Sequence, residues 1–315
     1  MSLSVTPPLW LDRLDCAHIT FVLTLVERVE LPGLALLQLR REFSAVHKEL
    51  ENQHGAEIAQ LVGHLLFPQP ATDPVVQRQV QKPSAAVVFS PDPIPQGSFD
   101  KGHQFQLPAL FIGAGVVAIE AFVVLLQLLG QRGIHKGQGR FHVTASELSS
   151  SDLHFNPVKV TPGSLIPKVF PLSWLLVERN PCLCETTLEI ITPLRLIKNG
   201  KPLFKFLFRD FISTLWRRVN HLAIAHGEVV TESHNDELNS LAATIECSAE
   251  RLHWSDWRRL EQGRNGQGIG GLTGTLELSG DSLAQVWWLL ELGALLHVGK
   301  GASYGFGRFR WLQSS

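Results

Sequence analysis

The chain closes on His297-Val298-Gly299-Lys300-Gly301-Ala302-Ser303-Tyr304-Gly305-Phe306-Gly307-Arg308-Phe309-Arg310-Trp311, with four glycines and the only tyrosine of the protein. Neither a helix nor a strand runs comfortably through so many glycines, so this segment is a turn between an apolar helix and a final strand. Glycine is required where backbone takes positive φ or approaches a ligand closely, and amides freed in such a loop suit anionic oxygens. Lys300, Arg308 and Arg310 add positive charge. Two readings follow, a phosphate-backbone cradle or a glycine-kinked connection without a ligand. The phosphate loop GxxxxGK[ST] is excluded because Gly301 follows Lys300. The dinucleotide pattern GxGxxG is excluded because Gly305 falls one residue too late and the loop runs from helix to strand.

Ahead of this loop, Gly270–Leu278 reads as a strand and Leu283–His297 as an apolar helix behind Asp281 or Ser282. In the first half, Ala17–Val26 is a β-branched, apolar strand. Leu36, Leu39, Phe43, Val46 and Leu50 form a stripe at helical spacing between Leu34 and His54. Ala85–Phe89 and Gln104–Phe111 read as strands, Val116–Leu129 as a buried helix, and another strand begins near Phe141. The order βαββαβ is ferredoxin-like. The second half offers strands at Val158–Val160, Thr186–Thr192 and Leu272–Leu278 and a helix at Phe204–Ala225, with Gly227–Asn239 as a turn-rich loop. The expectation is an α+β chain of two tandem ferredoxin-like domains, residues 1–145 and 146–315, the second carrying the glycine-rich loop 299–307.

Length and composition permit two cores: 315 residues, 44% hydrophobic and 18% charged. A formal net charge of −1 lacks the basic signature usual in nucleic-acid binders, so any basic groove must be local. Cys16, Cys182, Cys184 and Cys247 are scattered without zinc-ligand spacing, and free thiols in a reducing cytoplasm are expected. Leu107–Leu129 is near membrane-spanning length, but Glu120 at its middle and Gly113 and Gly115 divide it into strand and helix, and the chain reads as soluble. Trp174, Trp216, Trp287 and Trp288 sit in apolar runs and are expected in the core. Trp254 and Trp257, beside His253, Arg258 and Arg259, form an aromatic-basic cluster suited either to RNA or to surface packing.

Residues 297–308 resemble the closing His-Val/Ile-Gly-Lys-Gly-x-x-x-Gly-x-Gly-Arg segment of the CRISPR-associated precursor-crRNA-processing endoribonucleases of the RAMP superfamily. Thr192-Pro193-Leu194-Arg195-Leu196 and the helix bearing Trp216-Arg217-Arg218-Val219-Asn220-His221-Leu222 are similar to the same family. So are Ser255–Arg259 ahead of Gly270-Gly271-Leu272, and the second glycine-basic segment Gly130–Phe141. The resemblance implies cleavage without a metal or cofactor, at the base of a repeat stem-loop in precursor CRISPR RNA. The ribose 2′-OH attacks the adjacent phosphate and leaves a 2′,3′-cyclic phosphate. It further implies CRISPR effector-complex subunits as partners and a cytoplasmic, membrane-free location. A catalytically inactive guide-RNA-binding subunit of the same superfamily is the alternative.

Such a reaction needs a general base, a proton donor and positive charge beside the phosphorane. The family places a catalytic histidine on or after the first helix, where His47 and His54 lie seven residues apart and share a face; Lys48 is adjacent. Where relatives continue with glycine and then Phe-Gly-His, this chain has Arg40-Arg41-Glu42-Phe43-Ser44-Ala45. The alternative for the pair is solvated histidines near a helix end. Backbone contacts are expected from Gly299, Lys300, Gly301, Gly305, Gly307 and Arg308, from His135, Lys136 and Arg140, and from Arg258 and Arg259. Tyr304 is expected to stack on a base or donate to a phosphate. His297, at the end of the last helix, is a further contender, either as a protonated group favoured by the helix terminus or as a C-cap.

Overall fold

The computed structural model describes residues 6–91, 96–147, 156–158, 167–176, 184–227, 229, 234–249, 251–256 and 270–312. The chain divides into two compact units, one of residues 14–170 with 225–227, the other of residues 1–13, 171–224 and 228–315.

In the first unit β1 (Asp15–Leu25) is followed by β2 (Val29–Leu31), the helices α1 (Leu39–His54), α2 (Ala56–Leu66) and α3 (Pro74–Gln79), and β3 (Val87–Phe89). Then come β4 (Gly97–Phe99), β5 (Gln104–Ile112), α4 (Ile119–Arg132), β6 (Phe141–Glu147), β7 (Asn156–Val158) and β8 (Phe170–Pro171). The main sheet runs β3-β5-β1-β6-β7, with β8 on β1. Antiparallel pairing sets Ile19 opposite Ala109 on β5 and Phe21 opposite Ala145 on β6. With the minor strands set aside, the spatial order is second-third-first-fourth, the ferredoxin-like arrangement expected from βαββαβ.

The apolar stripe of α1 behaves as its spacing requires, with Leu39, Phe43, Val46 and Leu50 buried. Phe122 of α4 sits at the centre of the core, its ring centroid 5.5 Å from Phe21 and Phe43, 5.4 Å from Phe89 and 5.8 Å from Phe111. The helical stretch Gly113–Arg132 is the one among the described residues long and apolar enough to cross a membrane, and 67% of that apolar window is buried within the protein.

The second unit repeats the order. Its elements are β9 (Glu185–Leu194), the short hairpin β10 (Ile197–Lys198) and β11 (Lys201–Pro202), α5 (Phe208–His226), and α6 (Asn235–Thr244). They continue with β12 (Glu246–Ser248), β13 (Leu252–Asp256), β14 (Gly270–Ser279), α7 (Leu283–Leu296) and β15 (Phe309–Leu312). The sheet runs β12-β14-β9-β15 with β13 also on β14, again second-third-first-fourth. Leu215, Trp216, Leu289, Leu290 and Phe309 fill its core. Gly293 lets α7 come close, because a Cβ there would lie 2.6 Å from Leu215 and 2.7 Å from Phe309.

Three details depart from the sequence reading. Helix α2 follows α1 after a single residue, Gly55 at φ +90°. Helix α6 occupies part of the expected loop, burying only Leu238, Asn239, Leu241 and Ala242. Trp174 is 74% exposed rather than core, because the turn Leu172–Leu175 sends Leu172 inward instead.

Phe122→Ala should destabilise the protein by about 3–5 kcal/mol, as expected for a central aromatic deletion. Urea denaturation measures this; a loss under about 1 kcal/mol would contradict the packing described.

Candidate functional site

The glycine-rich loop is built against the end of β9. Lys300 N–H donates to the Arg195 carbonyl (2.9 Å) and Gly307 N–H to the Pro193 carbonyl (3.1 Å). Thr192, wholly buried, donates through Oγ1 to the Gly305 carbonyl (2.7 Å) and accepts from Arg308 N–H (2.8 Å). Within the loop the amides of Tyr304, Gly305 and Phe306 donate to Gly301, Ala302 and Gly301 carbonyls. These amides, among those expected to meet anionic oxygens, therefore hold the loop itself. Two glycines are explained by the same close approach. A Cβ at Gly307 (φ +65°) would lie 1.8 Å from the Val298 carbonyl oxygen, and one at Gly299 (φ +88°) would lie 2.6 Å from that of Arg195.

What the loop displays is side-chain charge. Lys300 is exposed, Arg308 is partly exposed, and Arg310 is tied to Glu189 at 2.7 Å. Contrary to the stacking role expected from its sequence neighbours, Tyr304 is 6% exposed and belongs to the core.

Behind the loop lies Arg218 of α5, whose role sequence reasoning missed although its segment stood out. Its Nε donates to the Leu296 carbonyl at the end of α7 (2.7 Å) and its Nη2 to Ser303 Oγ (3.3 Å). Burial pushes its guanidinium down to about 9, so it remains charged at neutral pH. His297 caps α7, its N–H donating to the Gly293 carbonyl, and its Nδ1–H donates to the Ala302 carbonyl (3.2 Å). Its backbone lies at φ 59°, ψ 174°, a region nearly reserved for glycine that costs about 1–3 kcal/mol. The helix end does not favour a charged imidazole here. Burial, with Arg218 and Arg308 adding repulsion, pushes His297 down to about 3, so it is neutral.

In the first unit, Lys136 (φ 50°) and Gly137 (φ 78°) form the tip of a tight turn closed by reciprocal bonds between His135 and Gln138. Two central residues at positive φ mark a type I′ geometry. Lys136 is exposed and His135 is buried. Arg140 is paired with Glu27 at 2.8 Å. The Arg140 backbone N–H and side chain, with Gly139 N–H, hold the Glu27 carboxyl below its usual range.

His47 is half-buried on α1, with Nε2 2.8 Å from the Ala59 carbonyl of α2 and its ring edge against Phe67. A carbonyl only accepts, so Nε2 carries the proton and Nδ1 keeps the lone pair. Gly63 of α2 lies against this ring: a Cβ there would stand in ordinary contact with Nε2 at 3.4 Å. His54 is the exposed last residue of α1, roughly 10 Å further along the axis at 1.5 Å per residue. The two serve one scissile bond only if the phosphodiester lies between them. Arg258, Arg259 and Trp257 lie outside the described residues.

Two sheets of second-third-first-fourth order, the second closed by a glycine-rich turn against its first strand, define the tandem ferredoxin-like class to which RAMP proteins belong. A family model for the CRISPR-associated endoribonuclease Cas6 matches residues 188–309, which include Thr192, Arg218 and the whole glycine loop. Among solved structures, a Cas6 product complex aligns over 94% of this chain and 99% of its own, with TM-score 0.54 and 16% identity. Thermus thermophilus Cas6 aligns over 94% and 99%, with TM-score 0.51 and 15% identity. A partial Cas6-RT-Cas1–Cas2 complex aligns over 96% of this chain and 46% of its own, with TM-score 0.56 and 13% identity. At these identities the likeness establishes the fold. No curated protein matches significantly. The family match thus concerns the second half of the chain, and the structural likeness extends the fold over nearly all of it.

The state of His297 has a consequence for stability. Its folded value, about 3, lies below the ordinary 6.5, so between these pH values the unfolded chain binds a proton that the folded chain does not. Its contribution is complete above about pH 6.5 and is lost as pH falls toward 3, at about 1.4 kcal/mol per pH unit. The wild type should lose about 2 kcal/mol more than His297→Asn, which keeps a side-chain N–H donor, between pH 6.5 and 5 in urea titrations. Equal losses would contradict the buried, neutral assignment.

Proposed function

We propose that this protein is a CRISPR precursor-RNA-processing endoribonuclease that binds a repeat stem-loop and cuts once at its base without a metal ion. The observation that carries this reading is the glycine loop docked on Thr192–Arg195. It lies wholly within the residues matched to the Cas6 family and presents Lys300 and Arg308 from a fixed backbone. The structural relatives include Cas6 bound to its RNA product, which supports RNA as the partner. A complex joining Cas6 with Cas1 and Cas2 supports CRISPR proteins as further partners.

In this reading Nδ1 of His47 takes the proton of the ribose 2′-OH, its tautomer set by the Ala59 carbonyl. The 2′ oxygen attacks phosphorus, the bond to the 5′ oxygen breaks, and that oxygen receives a proton from a second group, for which His54 is the candidate. Lys300 and Arg308 hold the RNA backbone; Lys136 is a second phosphate contact.

A second reading, a catalytically silent guide-RNA-binding subunit, is favoured by one observation. Arg140 and Arg310 are neutralised by Glu27 and Glu189, and His47 is partly engaged in packing. Labelled repeat RNA incubated with the protein in EDTA separates the two: cleavage to a 2′,3′-cyclic phosphate supports the enzyme, and binding alone supports the subunit. His47→Ala should slow single-turnover cleavage by about 10²–10⁴ with affinity nearly intact, and wild-type speed would remove His47 from the mechanism. Lys300→Ala should lower the salt dependence of binding by about one phosphate contact. An unchanged salt slope would exclude Lys300 from the interface.

A further inference from the structure

Before α5 the second unit exposes aromatic surface that its own core does not explain. Phe204 is 65% exposed and Leu207 50% exposed, while Phe206 and Phe208 between and after them are buried. The Phe204 ring centroid lies 4.6 Å from that of Trp254, at an interplanar angle of 53°. Trp254 stands on β13 and lies over β14 at Gly270, where a Cβ would come within 3.1 Å of the indole. The strand therefore supports the indole from beneath, and any side chain at 270 would lift it.

Phe204 is also held. Leu203 N–H donates to the Leu196 carbonyl (3.0 Å), and the hairpin β10–β11 before it turns through Asn199 (φ 51°) and Gly200 (φ 76°). A ring whose backbone is anchored just before it, and which rests on Trp254 while left in water, is a surface feature rather than a packing remainder.

Charge indicates what covers it. Lys201 and Lys205 flank Phe204, and Arg209 is the second residue of α5; all three are exposed, and among the described residues no carboxylate pairs with them. Lys198, by contrast, is held by Asp210 at 2.8 Å. Aromatic faces interleaved with unpaired cations suit single-stranded nucleic acid, whose bases stack on rings while phosphates meet the lysines. Bases within an A-form stem are already stacked and do not reach such a surface.

We propose that Phe204 and Trp254 form a stacking platform for an unpaired base of single-stranded RNA, with Lys201 and Lys205 meeting the neighbouring phosphates. For precursor CRISPR RNA this rests on the function proposed above: the platform then holds a segment flanking the repeat stem.

The test compares repeat RNA carrying unpaired flanks, the same stem-loop trimmed of them, and oligouridylate. Phe204→Leu keeps an apolar side chain and loses the π-face; Phe204→Trp keeps the face. Phe204→Leu should weaken binding of flanked RNA by about 5- to 150-fold, the cost of one lost base–aromatic stack. It should leave the trimmed stem and the melting temperature unchanged, and Phe204→Trp should bind as wild type. Equal affinity of Phe204→Leu and wild type for both flanked RNA and oligouridylate would overturn the platform while leaving the proposed function standing. Equal loss on the trimmed stem would also overturn it. Wild type that ignores repeat RNA but binds oligouridylate through Phe204 would overturn the proposed function and support the platform. Dependence on Phe204 for association with a CRISPR protein and not for either RNA would assign the surface to a protein partner, against the proposal.

Discussion

A guanidinium buried in an apolar core is tolerable only if its donors find acceptors, and Arg218 finds them where the chain has carbonyls to spare. The end of α7 leaves its last carbonyls without helical partners, and Arg218 takes that of Leu296. Its other contact, Ser303, lies inside the glycine loop. One side chain of α5 thus fixes where α7 stops and where the loop begins. Burial keeps His297 neutral, with the charge of Arg218 adding to the effect, so that the imidazole donates to Ala302 instead of taking a proton. From there the loop reaches Thr192, Pro193 and Arg195, and β15 pairs with β9 beyond it.

This network changes what the glycines mean. Their number first suggests backbone opened for a ligand. Gly299 and Gly307 are instead required by contact with the protein's own carbonyls, and the amides of Lys300, Ala302, Tyr304, Gly305 and Phe306 between them are occupied. The loop is a rigid mount, and in the proposed function it is Lys300 and Arg308 that it offers to RNA. The second glycine-basic turn follows the same economy: Gly139 and Arg140 serve Glu27, and Lys136 remains at the tip.

Much of the fold was legible because period and order are local properties. The stripe Leu39, Phe43, Val46, Leu50 announces its helix, and two successions of strand and helix announce two sheets of like order. Helix α2 escaped because Gly55 and Gly63 look like turn residues. Gly55 does break the chain, but Gly63 lies inside the helix and faces His47. Helix α6 escaped because Asn, Asp and Ser dominate it and only one narrow face is buried. Exposure was harder to read than element type. Tyr304 and Trp174 exchanged the places expected of them, since a short turn decides which side chain points inward from contacts distant in sequence. The ion pairs of Arg140 and Arg310 were illegible for the same reason: Glu27 is 113 residues and Glu189 is 121 residues away.

The central claim is that the loop amides of Lys300, Tyr304, Gly305, Gly307 and Arg308 belong to the fold, while in the proposed function the charged side chain of Lys300 meets RNA. Hydrogen exchange of these amides, followed with and without repeat RNA, tests it directly. Strong protection in the free protein, little changed by RNA that nonetheless binds less tightly to Lys300→Ala, is the predicted result. Fast exchange in the free protein that becomes slow only when RNA binds would contradict the claim and return those amides to the ligand.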